Sequence, residues 1–232
     1  MLSSTNGADT NKDICFFFDI DNCLYDANTG IPDLMAERIN LYAEQIGIPK
    51  DKVNELTYTY YKTYGLAIRG LIKFHGIDPI AYDQFVDQSL PLETLLKKDE
   101  NIYNMIKNLP YKRWAFTNAN YPHAERVLRI LGIKELFDGI TYCDYAEPNF
   151  PCKPEDEYYE RVKKAAGVTE NTQCYLVDDS WPNLETAKRH GWKTAHVVGA
   201  DGQIDPKLSL IHPQIKTVTD LPKIFPELWN KN

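Results

Sequence analysis

The sequence has no long apolar run, and this absence excludes one class of protein. No stretch of the 232 residues approaches the roughly 20 consecutive apolar side chains that a membrane-spanning helix requires. Residues 1–12 are polar and lack the basic start and apolar stretch of a secretory signal. We therefore expect no membrane span, and we expect residues 1–12 to form a disordered lead-in.

The chain also lacks an excess of positive charge. It has 26 Lys and Arg residues against 33 Asp and Glu residues, which gives a formal net charge of -7. Nucleic acid polymers attract clustered cationic side chains, so we expect no DNA or RNA partner. A small phosphorylated ligand remains compatible, because a local pocket can be positive within an acidic protein. The sequence does not indicate an oligomeric state.

Cysteine is scarce, and its arrangement is unlike that of a zinc or disulfide scaffold. The five cysteines are an odd number and are scattered along the chain. Cys143 and Cys152 have no neighbouring His or Cys at metal-ligand spacing. A reducing compartment fits this pattern best, which indicates the cytoplasm, with the nucleus also open.

Short runs that are apolar on both faces are present instead, and they predict buried strands. They are residues 14–18, 114–116, 175–177 and 194–198, with a weaker candidate at 139–142. Helical patterns that stop at a glycine lie between them, at 122–131, 155–166 and 182–190. This alternation of strand and helix predicts an α/β fold with a doubly wound parallel sheet.

One segment interrupts the alternation of strands and helices, and its pattern predicts several consecutive helices. From Tyr25 to about Asp99 no run resembles a strand, and apolar side chains recur at helical spacing. The first such face consists of Met35, Ile39, Tyr42 and Ile46. We predict an α/β core of residues 13–25 and 100–232, with a helical cap inserted at residues 26–99.

Two pairs of acidic residues follow predicted strands. Asp19 and Asp21 leave the first strand at positions i and i+2, so their side chains point the same way, and Asp178 and Asp179 close a later strand. Neighbouring carboxylates repel each other unless a cation lies between them, so the pairs predict a metal site at the carboxyl edge of the sheet. The alternative is structural: the carboxylates cap backbone amides of a turn or helix.

Uncharged and basic polar groups follow the other predicted strands. Thr117 and Asn118 can donate hydrogen bonds to phosphate oxygens, although they also suit a helix N-cap. Lys153 precedes Pro154, which fits the first turn of a helix, and an ammonium there can neutralise a phosphoryl group. The alternative is a solvated surface lysine. Asn183, one turn after the second acidic pair, can orient a ligand or a metal-bound water.

The order of these groups is more specific than any one of them. A glycosyltransferase Asp-x-Asp sequence also binds a metal, but it does not require Thr117, Lys153 and a later acidic pair. The succession Asp19-Ile20-Asp21-Asn22, Thr117-Asn118, Lys153-Pro154 and Asp178-Asp179 resembles the four motifs of haloacid dehalogenase-superfamily phosphatases, over about residues 15–198. Within that superfamily, three stretches resemble fungal pyrimidine 5′-nucleotidases: FFFDIDNCLY (16–25), YYKTYGLAIRGL (60–71) and TYCDY (141–145).

The resemblance implies a magnesium-dependent phosphomonoesterase that hydrolyses a small molecule, best a pyrimidine nucleoside 5′-monophosphate. Asp19 would be the nucleophile that forms an aspartyl-phosphate, and Asp21 would act as acid and then as base. Thr117 and Lys153 would hold the phosphoryl oxygens. Mg²⁺ would be held by Asp19, the backbone carbonyl of Asp21, and Asp178 or Asp179.

Specificity is expected to come mainly from the cap. The expected substrate contacts are Asn22, Tyr64, Arg69, Asn118, Asp144, Tyr145 and Asn183. Gly65 and Gly70 bracket the segment that carries Arg69, whose alternative role is an ion pair with a cap carboxylate. Another small phosphomonoester, such as lysophosphatidate or a sugar phosphate, remains open as the substrate. A non-catalytic relative that binds a phosphorylated ligand or a partner protein remains open as well.

Overall fold

A six-stranded parallel sheet forms the centre of the fold. The computed structural model describes residues 13–229, so the predicted lead-in at residues 1–12 lies outside the described residues. The strands are β1 (Asp13–Phe18), β2 (Lys112–Phe116), β3 (Gly139–Thr141), β4 (Thr172–Asp178), β5 (Lys193–Val197) and β6 (Gln214–Ile215). They lie side by side in the order β3-β2-β1-β4-β5-β6, all parallel.

Helices flank the sheet and fill the connection between β1 and β2. That connection contains α1 (Ile31–Gln45), α2 (Lys50–Tyr64), α3 (Ala67–His75), α4 (Pro79–Phe85), α5 (Leu92–Leu95) and α6 (Glu100–Lys107). The later helices are α7 (Tyr121–Ile130), α8 (Asp156–Ala165), α9 (Trp181–Arg189), α10 (Leu221–Ile224) and α11 (Pro226–Trp229). The predicted doubly wound α/β fold is confirmed. Among the described helices, none is both long and apolar enough to span a membrane.

The central strand β1 explains why its sequence is apolar on both faces. Phe16, Phe17 and Phe18 are each 0% exposed. Successive side chains of a strand point to opposite sides of the sheet, so Phe17 packs in one apolar cluster while Phe16 and Phe18 pack in the other. Runs of apolar residues of this kind made the five predicted strands visible in the sequence. The sequence pattern did not predict β6. This strand consists of two residues, Gln214 and Ile215, and is too short to show a pattern of apolar side chains.

The connection between β1 and β2 is helical, as the sequence predicts, and it packs on both apolar clusters. Tyr60, Ile68 and Leu71 belong to the cluster that contains Phe17. Leu90, Leu92 and Leu96 belong instead to the cluster that contains Phe18 and the buried side chains of α6 and α7. Residues 90–96 therefore pack against the α/β core, and the boundary of the cap at residue 99 stays a prediction.

One expectation and two alternatives about helix starts are wrong, and each correction matters for the site. Pro154 is not in the first turn of α8, which begins at Asp156. Neither Thr117 nor Asn118 caps α7, because the N-cap is Asn120. Asp178 and Asp179 do not cap α9, whose N-cap is Ser180. The polar groups at these strand ends are thus not explained by helix capping.

Gly70 lies at the contact between α2 and α3, and a substitution there tests how closely these two helices pack. An added Cβ at Gly70 would lie 2.1 Å from Cγ of Tyr60, so Gly70→Ala must separate the two helices. We expect this overpacking to lower the free energy of unfolding by about 1–3 kcal/mol in a denaturant titration. Glu55→Ala, on the exposed face of α2, is the control and should change it by less than about 0.5 kcal/mol. Equal stabilities of the two variants would contradict the close approach.

Candidate active site

The carboxyl ends of three neighbouring strands bring the predicted polar residues together. Asp19 directly follows β1, Thr117 directly follows β2, and Asp178 is the last residue of β4. Because β1 lies between β2 and β4, these ends are adjacent. The backbone N–H of Asp19 donates to the carbonyl oxygen of Val177, at 3.0 Å, which continues the β1–β4 pairing up to the acidic residue.

The Lys153 ammonium lies at the centre of this group and is 1% exposed. Its Nζ donates to Asp19 Oδ1 at 2.7 Å, to Asp178 Oδ2 at 2.7 Å and to the carbonyl oxygen of Phe116 at 2.8 Å. Burial lowers the pKa of Lys153, but the charges of Asp178 and Asp19 outweigh it and raise that pKa above its ordinary value. Lys153 is therefore a buried, permanently charged cation and not the solvated surface lysine that the sequence left open.

Three carboxylates surround this cation and lie close enough to share a second one. Asp19, Asp178 and Asp179 each offer an oxygen, and these oxygens lie within 4.8 Å of one another. Burial raises the pKa of Asp19 well above its ordinary value, with the charges of Asp178 and Asp179 adding to the effect. Burial and the neighbouring Asp178 raise the pKa of Asp179 to about 7. Crowded hard oxygens of this kind suit a divalent cation such as Mg²⁺.

The two acids at the end of β4 have different surroundings. Asp178 is 0% exposed, and its Oδ1 accepts from Ser180 N at 2.8 Å and from Asn183 Nδ2 at 2.9 Å. Its Oδ2 accepts from Lys153 and from the same Asn183 amide. Asp179, in contrast, lines a cavity. Asn183 lines that cavity too, but its amide nitrogen is already bonded to Asp178, so its first role is to hold that carboxylate.

The loop that carries Lys153 is held by Asn118. Asn118 Oδ1 accepts from Lys153 N at 2.7 Å, and its Nδ2 donates to the Lys153 carbonyl oxygen at 2.9 Å. Both polar atoms of the amide are thereby used to fix the backbone of the lysine. Asn118 was expected to contact substrate, and the structure places its amide on Lys153 instead. Thr117 is 1% exposed, and its Oγ1 accepts from Ala119 N at 3.0 Å, which leaves the hydroxyl hydrogen to donate.

Asp21 belongs to a separate network that the sequence did not reveal. Its Oδ1 accepts from Tyr25 OH at 2.7 Å and from His123 Nε2 at 2.8 Å. Burial lowers the pKa of His123, but the charges of Asp21 and Asp87 outweigh it and raise that pKa to about 9. Burial raises the pKa of Asp21, but His123 and Tyr25 outweigh it and hold the pKa below its ordinary value. His123 lies 102 residues from Asp21 and carries no motif signal that would have identified it.

The turn between α2 and α3 packs directly on the Lys153 loop. Gly65 has φ = 78°, and a Cβ there would lie 2.8 Å from both Cys152 Sγ and the Lys153 carbonyl oxygen. Arg69 Nη1 donates to Glu155 Oε1 at 2.7 Å and to the Tyr64 carbonyl oxygen at 2.9 Å. The structure therefore corrects the alternative for Arg69, because its ion-pair partner lies in the α/β core and not in the cap.

Two cavities meet beside Asp21. The edge cavity has a volume of about 580 Å³, and its lining includes Asp19, Asp21, Tyr64, Thr117, Lys153 and Asp179. The helix cavity has a volume of about 490 Å³ and lies among α1, α2 and α3, with Tyr58, Tyr61, Ile68 and Tyr145 in its lining. Asp21, Asn22, Tyr61, Leu66 and Asn118 line both.

The remaining predicted substrate contacts divide between these cavities and the surface. Asn22 has φ = 59°, and its buried Oδ1 has no hydrogen-bond partner among the described residues. Tyr145 is 4% exposed and lines the helix cavity. Asp144 is exposed, lines neither cavity, and accepts from Ala146 N at 3.0 Å through its Oδ1. Arg69 also lines neither cavity, because its guanidinium is held at Glu155.

Comparison with known proteins identifies relatives in sequence and in structure. Residues 15–191 match the family model of the haloacid dehalogenase-like hydrolases. The chain is 38% identical over 195 residues to Phosphate metabolism protein 8 of Saccharomyces cerevisiae, covering 79% of this chain and 60% of the yeast protein. The chain thus spans less than two thirds of that relative's length.

Solved structures share the fold at low sequence identity. The putative hydrolase YfnB of Bacillus subtilis, bound to magnesium, has a TM-score of 0.61 and 17% identity, covering 92% of this chain and 99% of its own. A phosphatase of Thermococcus onnurineus has a TM-score of 0.59 and 18% identity, covering 91% and 97%. L-2-haloacid dehalogenase of Xanthobacter autotrophicus has a TM-score of 0.58 and 16% identity, covering 93% and 99%. With the match of the family model, these comparisons show that the chain belongs to the haloacid dehalogenase-like hydrolases.

Proposed function

We propose that this protein is a magnesium-dependent phosphomonoesterase that works through an aspartyl-phosphate on Asp19. The observation that carries the proposal is the Asp19 carboxylate, which faces the edge cavity while its Oδ1 is held 2.7 Å from the buried Lys153 ammonium. A carboxylate fixed in this way has its other oxygen free to attack, and the ammonium neutralises charge on an incoming phosphoryl group. The yeast relative's name, which concerns phosphate metabolism, agrees with this chemistry.

Two proton transfers by Asp21 complete the proposed reaction. In the first step Asp19 attacks phosphorus, the bond from phosphorus to the ester oxygen breaks, and Asp21, which must first take up a proton because His123 and Tyr25 favour its ionised form, gives that proton to the ester oxygen. In the second step Asp21 takes a proton from water as the water oxygen attacks phosphorus, and the bond from phosphorus to Asp19 breaks. Thr117 holds a phosphoryl oxygen through its hydroxyl hydrogen, and Lys153, whose three hydrogens are donated to Asp19, Asp178 and Phe116, supplies positive charge beside the phosphoryl group. Because Asp21 lines the edge cavity within the same turn as Asp19, it is placed for both transfers.

The proposed metal ligands are Asp19, Asp179 and the backbone carbonyl of Asp21. We favour Asp179 over Asp178 as the direct ligand, because Asp179 lines the edge cavity whereas both oxygens of Asp178 already accept hydrogen bonds. Mg²⁺ at this position supplies positive charge to the phosphoryl oxygens and relieves the repulsion among the carboxylates.

The helix cavity supports a nucleoside as the group attached to phosphate. It adjoins the edge cavity at Asp21, so a leaving group can extend into it. In its wall Thr57 Oγ1 donates to Asn40 Oδ1 at 2.8 Å, and Asn40 Nδ2 donates to Asn54 Oδ1 at 2.7 Å. Amide side chains offer donors and acceptors that match the edge of a nucleobase. The finer assignment to pyrimidine nucleotides rests on the resemblance to the fungal nucleotidases.

A lysophospholipid is the second candidate substrate, and one observation favours it. The helix cavity also has an apolar wall that includes Ile31, Met35, Ile39 and Ile68, which suits an acyl chain. The amide network distinguishes the two candidates, because an acyl chain forms no hydrogen bonds with it.

We assign Arg69 to holding the helical connection against the core. Its guanidinium bridges the Tyr64 carbonyl oxygen and Glu155, beside the Lys153 loop. Loss of such a bridge affects every substrate alike, whereas a residue that reads the substrate changes the ratio between substrates.

The nucleophile assignment predicts the outcome of Asp19→Asn. An amide oxygen is a poor nucleophile, so we expect kcat on every phosphomonoester to fall at least about 10⁴-fold, while the circular dichroism spectrum stays that of the folded protein. Asp51→Asn, in the exposed first turn of α2, is the matched control and should keep full activity. Near-normal turnover by Asp19→Asn would exclude the proposed mechanism.

The metal assignment predicts a dependence that can be measured with and without turnover. Excess chelator should abolish phosphate release, and added Mg²⁺ should restore it. At 100 times its dissociation constant Mg²⁺ should also raise the free energy of unfolding by about 2.7 kcal/mol, seen as a higher melting temperature. Asp179→Asn should reduce this thermal shift. Full activity in excess chelator would contradict the assignment.

The substrate assignment predicts a selective effect of Asn40→Ala. Loss of one hydrogen bond to the base should lower kcat/KM on nucleoside 5′-monophosphates about tenfold, but leave lysophosphatidate and 4-nitrophenyl phosphate within about twofold. Asn104→Ala, on the exposed face of α6, is the matched control. A higher kcat/KM of the unmodified protein on lysophosphatidate than on any nucleotide would favour the acyl-chain alternative.

A further inference from the structure

Asp21 has one oxygen held by two donors, whereas its other oxygen accepts no hydrogen bond from the described residues. Both Tyr25 OH and His123 Nε2 bond to Oδ1, at 2.7 Å and 2.8 Å. The same carboxylate lines the edge cavity and the helix cavity, which is where a leaving group would pass from one to the other. Two hydrogen bonds to one oxygen fix the rotation of a carboxylate about its last bond, so Oδ2 takes a defined direction.

The hydrogen bonding of His123 differs from that of a histidine that is buried for packing alone. The side chain of His123 is 0% exposed, and its Nδ1 has no hydrogen-bond partner among the described residues. His212 provides the comparison within the same chain. Its side chain is equally buried, yet Nδ1 lies 2.7 Å from Thr194 Oγ1 and Nε2 lies 2.6 Å from Glu185 Oε1. An unpaired buried polar atom costs stability, so the packing of His123 alone does not account for a histidine at this position.

We propose that His123 and Tyr25 are positioning residues that fix Asp21 Oδ1 and thereby aim Oδ2 at the ester oxygen of the substrate. The inference rests on the proposed phosphomonoesterase function. In the first step a proton that Oδ2 has taken up beforehand passes to the ester oxygen as its bond to phosphorus breaks. In the second step Oδ2 takes a proton from the attacking water as the bond between phosphorus and Asp19 breaks. His123 lines neither cavity, whereas Tyr25 lines the helix cavity and its hydroxyl is bonded to Asp21, so both act on the reaction through Asp21.

The tyrosine and the histidine restrain Asp21 from two parts of the chain. Tyr25 is four residues from Asp21, whereas His123 lies in the first turns of α7, beyond β2. A carboxylate held only by the local tyrosine would follow any movement of its own loop. The hydrogen bond from His123, in α7, also holds Asp21 to the α/β core.

The experiment separates proton transfer from the rest of catalysis by changing the leaving group. A nucleoside 5′-monophosphate has an alkoxide leaving group that needs a proton, whereas 4-nitrophenolate leaves without one. For His123→Leu we expect kcat/KM on the nucleotide to fall about 10²-fold or more, and kcat/KM on 4-nitrophenyl phosphate to change only a few fold. A burst of nitrophenolate equal to the enzyme concentration should appear, because water attack on the phosphorylated Asp19 still needs Asp21 as base.

Three further variants keep the test decisive. His123→Gln carries an amide that can donate to the same Oδ1, so it should recover most of the loss on the nucleotide. Tyr25→Phe removes only the hydroxyl, and it should shift the nucleotide-to-aryl ratio of kcat/KM in the same direction by about threefold to tenfold, even if His123→Leu does not fold. Tyr42→Phe, a buried tyrosine that lines neither cavity, is the matched control and should leave the ratio unchanged.

The outcomes distinguish this inference from the proposed function. A wild-type protein that hydrolyses neither substrate would overturn the phosphomonoesterase function and the positioning role with it. An active wild-type protein whose His123 and Tyr25 variants lose activity equally on both substrates, without a burst, would overturn the positioning role alone. A shifted ratio with the burst, and its recovery in His123→Gln, would support it.

Discussion

The Lys153 ammonium between Asp19 and Asp178 is the interaction on which the rest of the site depends. All three side chains are at least nine-tenths buried, and a charge moved out of water costs several kcal/mol unless it is paired. Both carboxylates therefore stabilise the charge of the lysine, and the lysine stabilises the charges of the carboxylates at the ends of β1 and β4. Removal of one partner from such a group typically costs 3–5 kcal/mol, so the site is part of the stability of the fold.

The surroundings of Lys153 hold its loop from several directions. The Asn118 amide clamps its backbone, and the turn at Gly65 packs against its carbonyl oxygen. The ion pair of Arg69 with Glu155 ties α3 to the same loop. The helical connection thus contacts the core at the loop whose lysine pairs with Asp19.

Two charge networks border the edge cavity, one through Asp19 and the other through Asp21. The network of Lys153, Asp19 and Asp178 concentrates both signs of charge where a phosphoryl group would bind. The network of Asp21, Tyr25 and His123 instead restrains one carboxylate. Asp19 and Asp21 thus differ in their partners although they are two residues apart: a lysine holds the first, and a histidine and a tyrosine hold the second.

The sequence by itself determined the strands, the helical block and the order of polar groups at the strand ends. These features are local: burial on both faces makes a run of apolar residues, and an acid that follows such a run lies at the carboxyl edge wherever the strand pairs. Asp19, Thr117 and Asp179 could be placed at this edge on that basis, whereas Lys153 does not directly follow a strand and was assigned to the site through the family resemblance. The two-residue strand β6 was not predicted because it is too short to show a pattern of apolar residues.

Only the tertiary structure decided which groups are partners. His123 lies 102 residues from Asp21, and Glu155 lies 86 residues from Arg69. No period or spacing connects such pairs, because each contact exists only once helices have packed on the sheet. The same holds for Asn118 and Asn183, whose amides face Lys153 and Asp178. A residue type shows which hydrogen bonds a side chain can form, whereas packing alone shows which of them it does form.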